Sequence, residues 1–479
     1  MCFYFHEHRI GLHNMNARKS AAAVSPLMTK LSRYVAAAPR QALPPAAVEA
    51  TKHHLLDTIA SMVSGSTLHP GQAAIAYARS LGGAPQATVV GTRLRTNVVN
   101  AALANGMLAH ADETDDAHAA SFSHPGCGVV AAALAMAERE HRSGTALLRA
   151  VCLGYDIGAR MSLSLQPTEF RRVGHLPHCF GPTFGAAAAA AALARLDAHQ
   201  VRHVFAYAAQ QAGGVAVYPR DRDHIEKSFD FGGLPARNGI VAASMVASGC
   251  TAVEDVFSGE RNFYAAYDES ARTGLKPDPA RLVRGLGRIF EVVNTDIKRW
   301  TVGLPIQAPL DALLHLMTHD NVTADTVVKL VVRIAPTGAA VVDDRSMPDI
   351  SVKHLCAVLL LDGTVTFEAA HDSRRVRDPR VQALCRRIEL VPDAALEKLR
   401  PQWHGIVEVT LRDGRHVGHH TKAVRGTAEN PMTRDEVDDK CHRLMTPVLG
   451  TRRARALCDT VWSVERVRDV CELRPLLRA

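Results

Sequence analysis

Two alanine-rich apolar stretches, residues 98–109 and 127–137, enclose a short and strongly polar one. This arrangement restricts the fold more than any other feature of the chain. Alanine is the best helix former, and its small side chain lets neighbouring helices pack closely. Both flanks therefore read as buried helices. The connection between them, HADETDDAHAASFSHPG over residues 110–126, carries Asp112, Glu113, Asp115, Asp116, His110, His118 and His124. Ionisable groups held between buried helices are partly desolvated, which is where acid/base chemistry can be tuned. The competing reading is a solvated turn whose aspartates cap the following helix.

Residues 174–197, GHLPHCFGPTFGAAAAAAALARLD, form a second alanine segment. Gly181, Pro182 and Gly185 are expected to delay its helix until the alanine run. The free N–H groups at that start would suit a carboxylate. His175 and His178 lie just upstream, either of them able to face such a ligand. Further helices are expected at residues 26–38, 45–64, 145–164, 201–213 and 240–248. Residues 213–239 are polar, punctuated by glycine, and hold Lys227.

A chain of 479 residues is longer than one hydrophobic core usually serves. The pattern changes after a Pro-, Gly- and Arg-rich excursion at residues 274–287. Beyond Asp296 a helix at 307–317 and a strand at 327–334 alternate with a helix at 352–361. Asp413-Gly414 then joins two alternating runs as a hairpin. The expected fold class is mainly α: a large all-helical domain with an inserted smaller α+β lid domain. Its expected bounds are 1–25 for an extension, 26–295 for the helical domain, 296–425 for the lid and 426–479 for a helical return.

Net charge is +8, and the basic clusters lack interleaved aromatics, which argues against nucleic acid and for acidic metabolites. Ten cysteines include no C-x-x-C pair, so zinc ribbons and secreted disulfide frameworks are disfavoured. No apolar run is bulky enough to span a bilayer, and the first residues lack signal-peptide order. A cytoplasmic protein without membrane partners is expected.

Seven segments carry a resemblance to a known family. They are HADETDDAH…HPG, GH…FGAAAAAA, HIEKSFDFGGLPARNG, FSGERNFYAAY, IKRWTVGLPIQAPLDAL, SMPDISVKHLCAVLLLDG and GTAENPMT. In this order they resemble the MmgE/PrpD family, which includes 2-methylcitrate dehydratase, cis-aconitate decarboxylase and iminodisuccinate epimerase. The resemblance implies a helical domain with an α+β lid, a homodimer and no cofactor. It puts the active-site acid at Glu113, where aspartate is usual, and the loop histidine at His124. It puts the two lysines at Lys227 and Lys298, and the histidine ahead of the alanine helix at His175, with His178 admitted by spacing. Asp116 joins His175 and His178 in the substrate-binding set. Two positions depart from the family pattern: Ala117 replaces a usual threonine, and Gly303 replaces the histidine of decarboxylase-type members.

The chemistry expected is removal of a proton from carbon next to a carboxylate, then dehydration of a small di- or tricarboxylate resembling 2-methylcitrate. The developing enediolate needs cations and donors around it. Histidine titrates near neutrality and suits the base, while lysines neutralise carboxylates as point charges. His124 is expected to move the proton, Glu113 to orient it or act opposite it, and Lys227 and Lys298 to hold the substrate from two sides. Epimerisation or racemisation, decarboxylation, and non-catalytic binding of an anionic metabolite are the alternatives. The acidic loop could hold Mg²⁺, but no metal is expected.

Overall fold

In the computed structural model, residues 23–343, 345 and 347–479 are described. The expected extension at 1–25 falls almost wholly outside them. Helix α1 (Pro26–Ala37) opens with a Ser25 side chain that accepts the Met28 N–H and with proline at the first position. Helix α2 (Pro45–Gly65) turns Leu55, Leu56, Ile59, Met62 and Val63 into the core. After α3 (His69–Leu81) comes a small antiparallel pair, β1 (Ala87–Thr88) and β2 (Arg95–Thr96). Helices α4 (Val98–Ala109) and α5 (Pro125–Arg139) are buried along nearly their whole lengths, as their alanine content requires.

Helices α6 (Gly144–Ser164), α7 (Pro167–Arg172) and α8 (Pro177–Leu193) follow. The expected late start of α8 is incorrect, because the helix begins at Pro177 and passes through Pro182. Its glycines serve contact with α6 rather than helix breaking. A Cβ on Gly185 would lie 2.4 Å from the Gly154 carbonyl oxygen, and one on Gly181 2.4 Å from that of Gly158. Two glycines on each helix thus let the backbones touch, and this contact offsets the weak helix propensity of glycine and proline.

Helix α9 (Ala198–Gln211) starts at a capping box made by Asp197 and Gln200. Residues 213–239 are less irregular than expected. Helix α10 (Ile225–Ser228), a π-helical turn at Phe229–Gly233 and α11 (Leu234–Ala247) form one continuous path. The widened turn brings Gly232 against Gly106 of α4, where a Cβ would meet the Gly106 carbonyl at 2.0 Å. It also aims Phe231 beside the acidic loop. Short helices α12 (Phe263–Ala266) and α13 (Ser270–Thr273) complete this part.

Helix α14 (Gln307–His319) leads to β3 (Val327–Ile334), α15 (Pro336–Val342), α16 (Val352–Asp362), α17 (Phe367–His371) and α18 (Pro379–Cys385). Strand β4 (Ile388–Pro392), helix α19 (Ala394–Glu397) and strands β5 (Gly405–Leu411) and β6 (His416–Thr421) close the sheet. Its order is β4-β3-β5-β6, with β4 parallel to β3 and the other pairs antiparallel. The Asp413-Gly414 hairpin joins β5 to β6 and pairs Thr410 with His416. Helix α20 (Arg434–Leu449) packs on α2, and α21 (Thr451–Trp462) packs on α20.

The buried apolar residues form two clusters. One joins Met28 through Ile297 to Met432 through Leu477 and is helical. The other runs from Trp300 to Leu411 and lies between the sheet and helices such as α14 and α16. The molecule is mainly α with small sheets. Among the described residues, no helix is long and apolar enough to cross a membrane.

Candidate active site

The acidic loop runs through the interior instead of over the surface. Ala117 and Asp296 exchange both backbone hydrogen bonds, at 2.9 and 2.8 Å, and lock the loop to the chain that leads into the second cluster. Asp116 anchors it from below. Its carboxylate accepts from the Tyr155 hydroxyl at 2.6 Å and from the Gly126 N–H at 3.0 Å, and pairs with His54 Nδ1 at 2.8 Å. It therefore caps α5, as the competing reading of the sequence has it, and does not line the cavity above.

Asp115 is the hub. It lies 3.0 Å from His110 Nδ1, 3.2 Å from His124 Nδ1 and 3.6 Å from Lys298 Nζ. Burial favours the neutral acid, yet His110, His124 and Lys298 hold Asp115 well below the usual carboxylate range. Burial pushes His110 down to about 4 despite the adjoining Asp115 carboxylate. A neutral His110 and an ionised Asp115 require the ring to donate from Nδ1. The same oxygen orients His124 through Nδ1, leaving His124 Nε2 for the cavity.

Glu113 stands at the cavity wall with the Lys227 ammonium donating to its Oε1. Burial acts against ionisation, but Lys227 and Lys298 keep Glu113 well below the usual range. Burial likewise opposes the charge on Lys227, and Glu113 overcomes it and raises the lysine above its ordinary value. Lys298 is placed differently from expectation. Its side chain is fully buried, and Nζ donates to the Glu113 carbonyl at 2.7 Å. It braces the loop from behind and does not line the cavity.

The two candidate histidines ahead of the alanine run separate clearly. His175 pairs with Glu269 at 2.8 Å and stacks on Phe170, and it is not among the residues that line this cavity. His178 lies one turn into α8 and lines the cavity. Its ring stacks on Phe231 at 4.0 Å and faces His124 at 5.7 Å. Burial, with His124, Arg171 and Lys227 nearby, holds His178 well below its ordinary value and therefore neutral.

These groups open onto a cavity of about 630 Å³. Ala117, His124, Arg171, His178 and Tyr218 line it on the helical side; Gly303, Val341, Ile350, Arg400 and Trp403 line it on the sheet side. Sequence reading missed His110 and Asp115 as a pair, although both lie in the conspicuous loop. It also missed Phe231, which lies within the HIEKSFDFGGLPARNG segment, and Tyr218, Arg171, Arg400 and Trp403, which lie in none of the quoted segments.

At this site two donor sets could converge on a cation: His110, Glu113 and His224, and His110, Asp115 and His124. In both, the carboxylate already faces a lysine ammonium, Lys227 on Glu113 and Lys298 beside Asp115. The protein itself thus supplies the positive charge that a metal would bring.

Two family models cover most of the chain: the MmgE/PrpD N-terminal domain matches residues 29–275, and the MmgE/PrpD C-terminal domain matches residues 300–465. The chain belongs to the MmgE/PrpD family. Among its MmgE/PrpD relatives is the cis-aconitate decarboxylase-like protein oryM of Aspergillus oryzae, 23% identical over 461 residues. That match covers 91% of this chain and 94% of the relative. A cis-aconitate decarboxylase of Aspergillus terreus is 22% identical over 467 residues, covering 91% and 92%.

Proposed function

We propose that this protein is a cofactor-independent lyase that removes a proton next to a carboxylate and dehydrates a small polycarboxylate. The observation that carries this reading is the Asp115–His124 pair, with Lys227 and the neutral His178 on the same wall. Asp115 fixes the His124 ring, so Nε2 can take the carbon-bound proton. Lys227 stays charged and neutralises the enediolate as it forms. His178, kept neutral by burial, offers a hydrogen bond without adding repulsive charge. The imidazolium of His124 then gives its proton to the departing hydroxide, which leaves as water. Lys298 holds Asp115 and Glu113 in place for this sequence.

Decarboxylation is the second reading, favoured by the names of the relatives in Aspergillus. Against it stands Gly303, a cavity-lining position where decarboxylase-type members resemble one another in carrying histidine. The family resemblance also supports a homodimer, a cytoplasmic setting and a sheet-bearing segment that closes over the substrate. Light scattering of the purified protein tests the dimer.

The deciding experiment incubates the protein with hydroxy, unsaturated and amino polycarboxylates in D₂O and follows proton NMR. New vinyl signals from a hydroxy acid support dehydration. Loss of a carboxyl carbon as CO₂ supports decarboxylation. Deuterium uptake with no elimination points to epimerisation. Binding without any exchange overturns the enzyme reading in favour of a binding protein.

A further inference from the structure

Two guanidinium groups that the proposed chemistry does not use line the cavity. Arg171 comes from α7 on the helical side, and Arg400 follows α19 on the sheet side. Both stand over the Phe122 ring, at 5.9 and 5.5 Å from its centre. Arg400 also lies 3.7 Å over Trp403. Arg171 donates to the Tyr218 hydroxyl at 2.7 Å, yet its Nε is buried without a hydrogen-bond partner, as is Nη1 of Arg400. Among the described residues neither guanidinium forms an ion pair. Burial draws Arg400 down to about 10, Glu397 partly offsets this, and the charge of Arg171 adds to the downward shift. Two like charges held close, with unpaired donors in a partly desolvated slot, are costly until an anion sits between them. Planar guanidiniums stacked on aromatic rings are preset for bidentate capture of a carboxylate.

Tyr218 sets the spacing. Its hydroxyl meets Arg171, while its ring lies 5.6 Å from Lys227 Nζ, so one tyrosine separates the two cationic ends. Phe231, Leu304 and Ile350 add apolar surface to the same cavity. The geometry points to Arg171 and Arg400 as a second carboxylate subsite, which selects a polycarboxylate whose distal carboxylate is set off from the reacting carbon by an apolar segment. This rests on the reading of the His124 end as the reaction centre.

Calorimetric titration tests it with matched probes: succinate, adipate, suberate and the monocarboxylate octanoate. The wild-type protein is expected to bind adipate or suberate at least about tenfold more tightly than octanoate, the usual yield of a charge-assisted hydrogen bond. In Arg400→Gln and Arg171→Gln, each checked by thermal melting, that preference should fall below about twofold, with octanoate binding retained. Arg400→Lys should recover only part of it. A wild-type protein that does not distinguish suberate from octanoate overturns the subsite, as does a folded Arg400→Gln that keeps the full preference. The D₂O assay separates the two proposals. Exchange without the dicarboxylate preference sinks the subsite alone, and the preference without exchange sinks the lyase reading alone.

Discussion

Two sets of charged groups around the cavity are handled in opposite ways. On the helical wall Asp115, Glu113, Lys227 and Lys298 are all buried or nearly so, and all are paired. On the sheet-bearing wall Arg400 is half-buried, stacks on Trp403 and meets no carboxylate among the described residues. A buried charge is stable only when compensated within the protein, so the helical wall gives up freedom and gains fixed geometry. An uncompensated charge at a cavity edge waits for compensation from a ligand. The difference separates charges compensated within the protein from charges left open to a ligand, and Arg171 of the helical side belongs with Arg400 in the second set.

Four predictions probe this contrast, and the largest effect is expected behind the helical wall. Lys298→Met removes a cation shared by Glu113 and Asp115 and should destabilise the protein by about 4 kcal/mol in urea titration, the usual result of breaking a buried pair. Trp403→Ala on the opposite wall should cost far less. If the two melt alike, the contrast between the walls is wrong.

Next comes the frame that carries the helical wall. Gly185→Val would push a side chain into the Gly154 carbonyl and should cost about 3 kcal/mol, because backbone cannot yield as a side chain can. Denaturant midpoints check this. A neutral outcome would mean that α6 and α8 are free to separate and that His178 is not held in place by packing.

His124→Ala should lower kcat by about a hundredfold or more, roughly 2.7 kcal/mol, with little change in KM. Glutamine at that position should not restore turnover, since it cannot accept the proton. Retained kcat would transfer the proton step to His178 or Glu113.

The smallest effect concerns the contact between walls. His371 of α17 lies 3.0 Å from the Asp112 carboxylate of the acidic loop. Burial would lower the pKa of this ring, but its bond to Asp112 and the charges of Asp112 and Asp349 raise it to about 9. A raised folded-state value means that the contribution to stability is complete below about pH 6.5 and fades as pH rises through about 9. The melting temperature of the wild type should therefore drop by a few degrees across that window relative to His371→Gln. Parallel profiles for the two would remove this ion pair as a link between the walls.

The sequence by itself determined the helices and the presence of a reactive loop, because both are local. Alanine content dictates burial along α4, α5 and α8 whatever they pack against, and seven ionisable groups between two such helices must find partners. The family was equally legible, through motifs that stay contiguous. Only the tertiary structure decided which groups face the cavity. His175 and His178 are three residues apart on similar backgrounds, and the early start of α8 sends one inward and leaves the other to Glu269. That start depends on glycines of α6, which lie outside the local pattern. Lys298 could be taken for a substrate clamp until the loop closed over it and occupied its ammonium. Arg171 and Arg400 have no sequence relation at all. They meet over Phe122 because the helical and sheet-bearing parts converge there, and a charge that finds its setting only across such a junction leaves no mark along the chain.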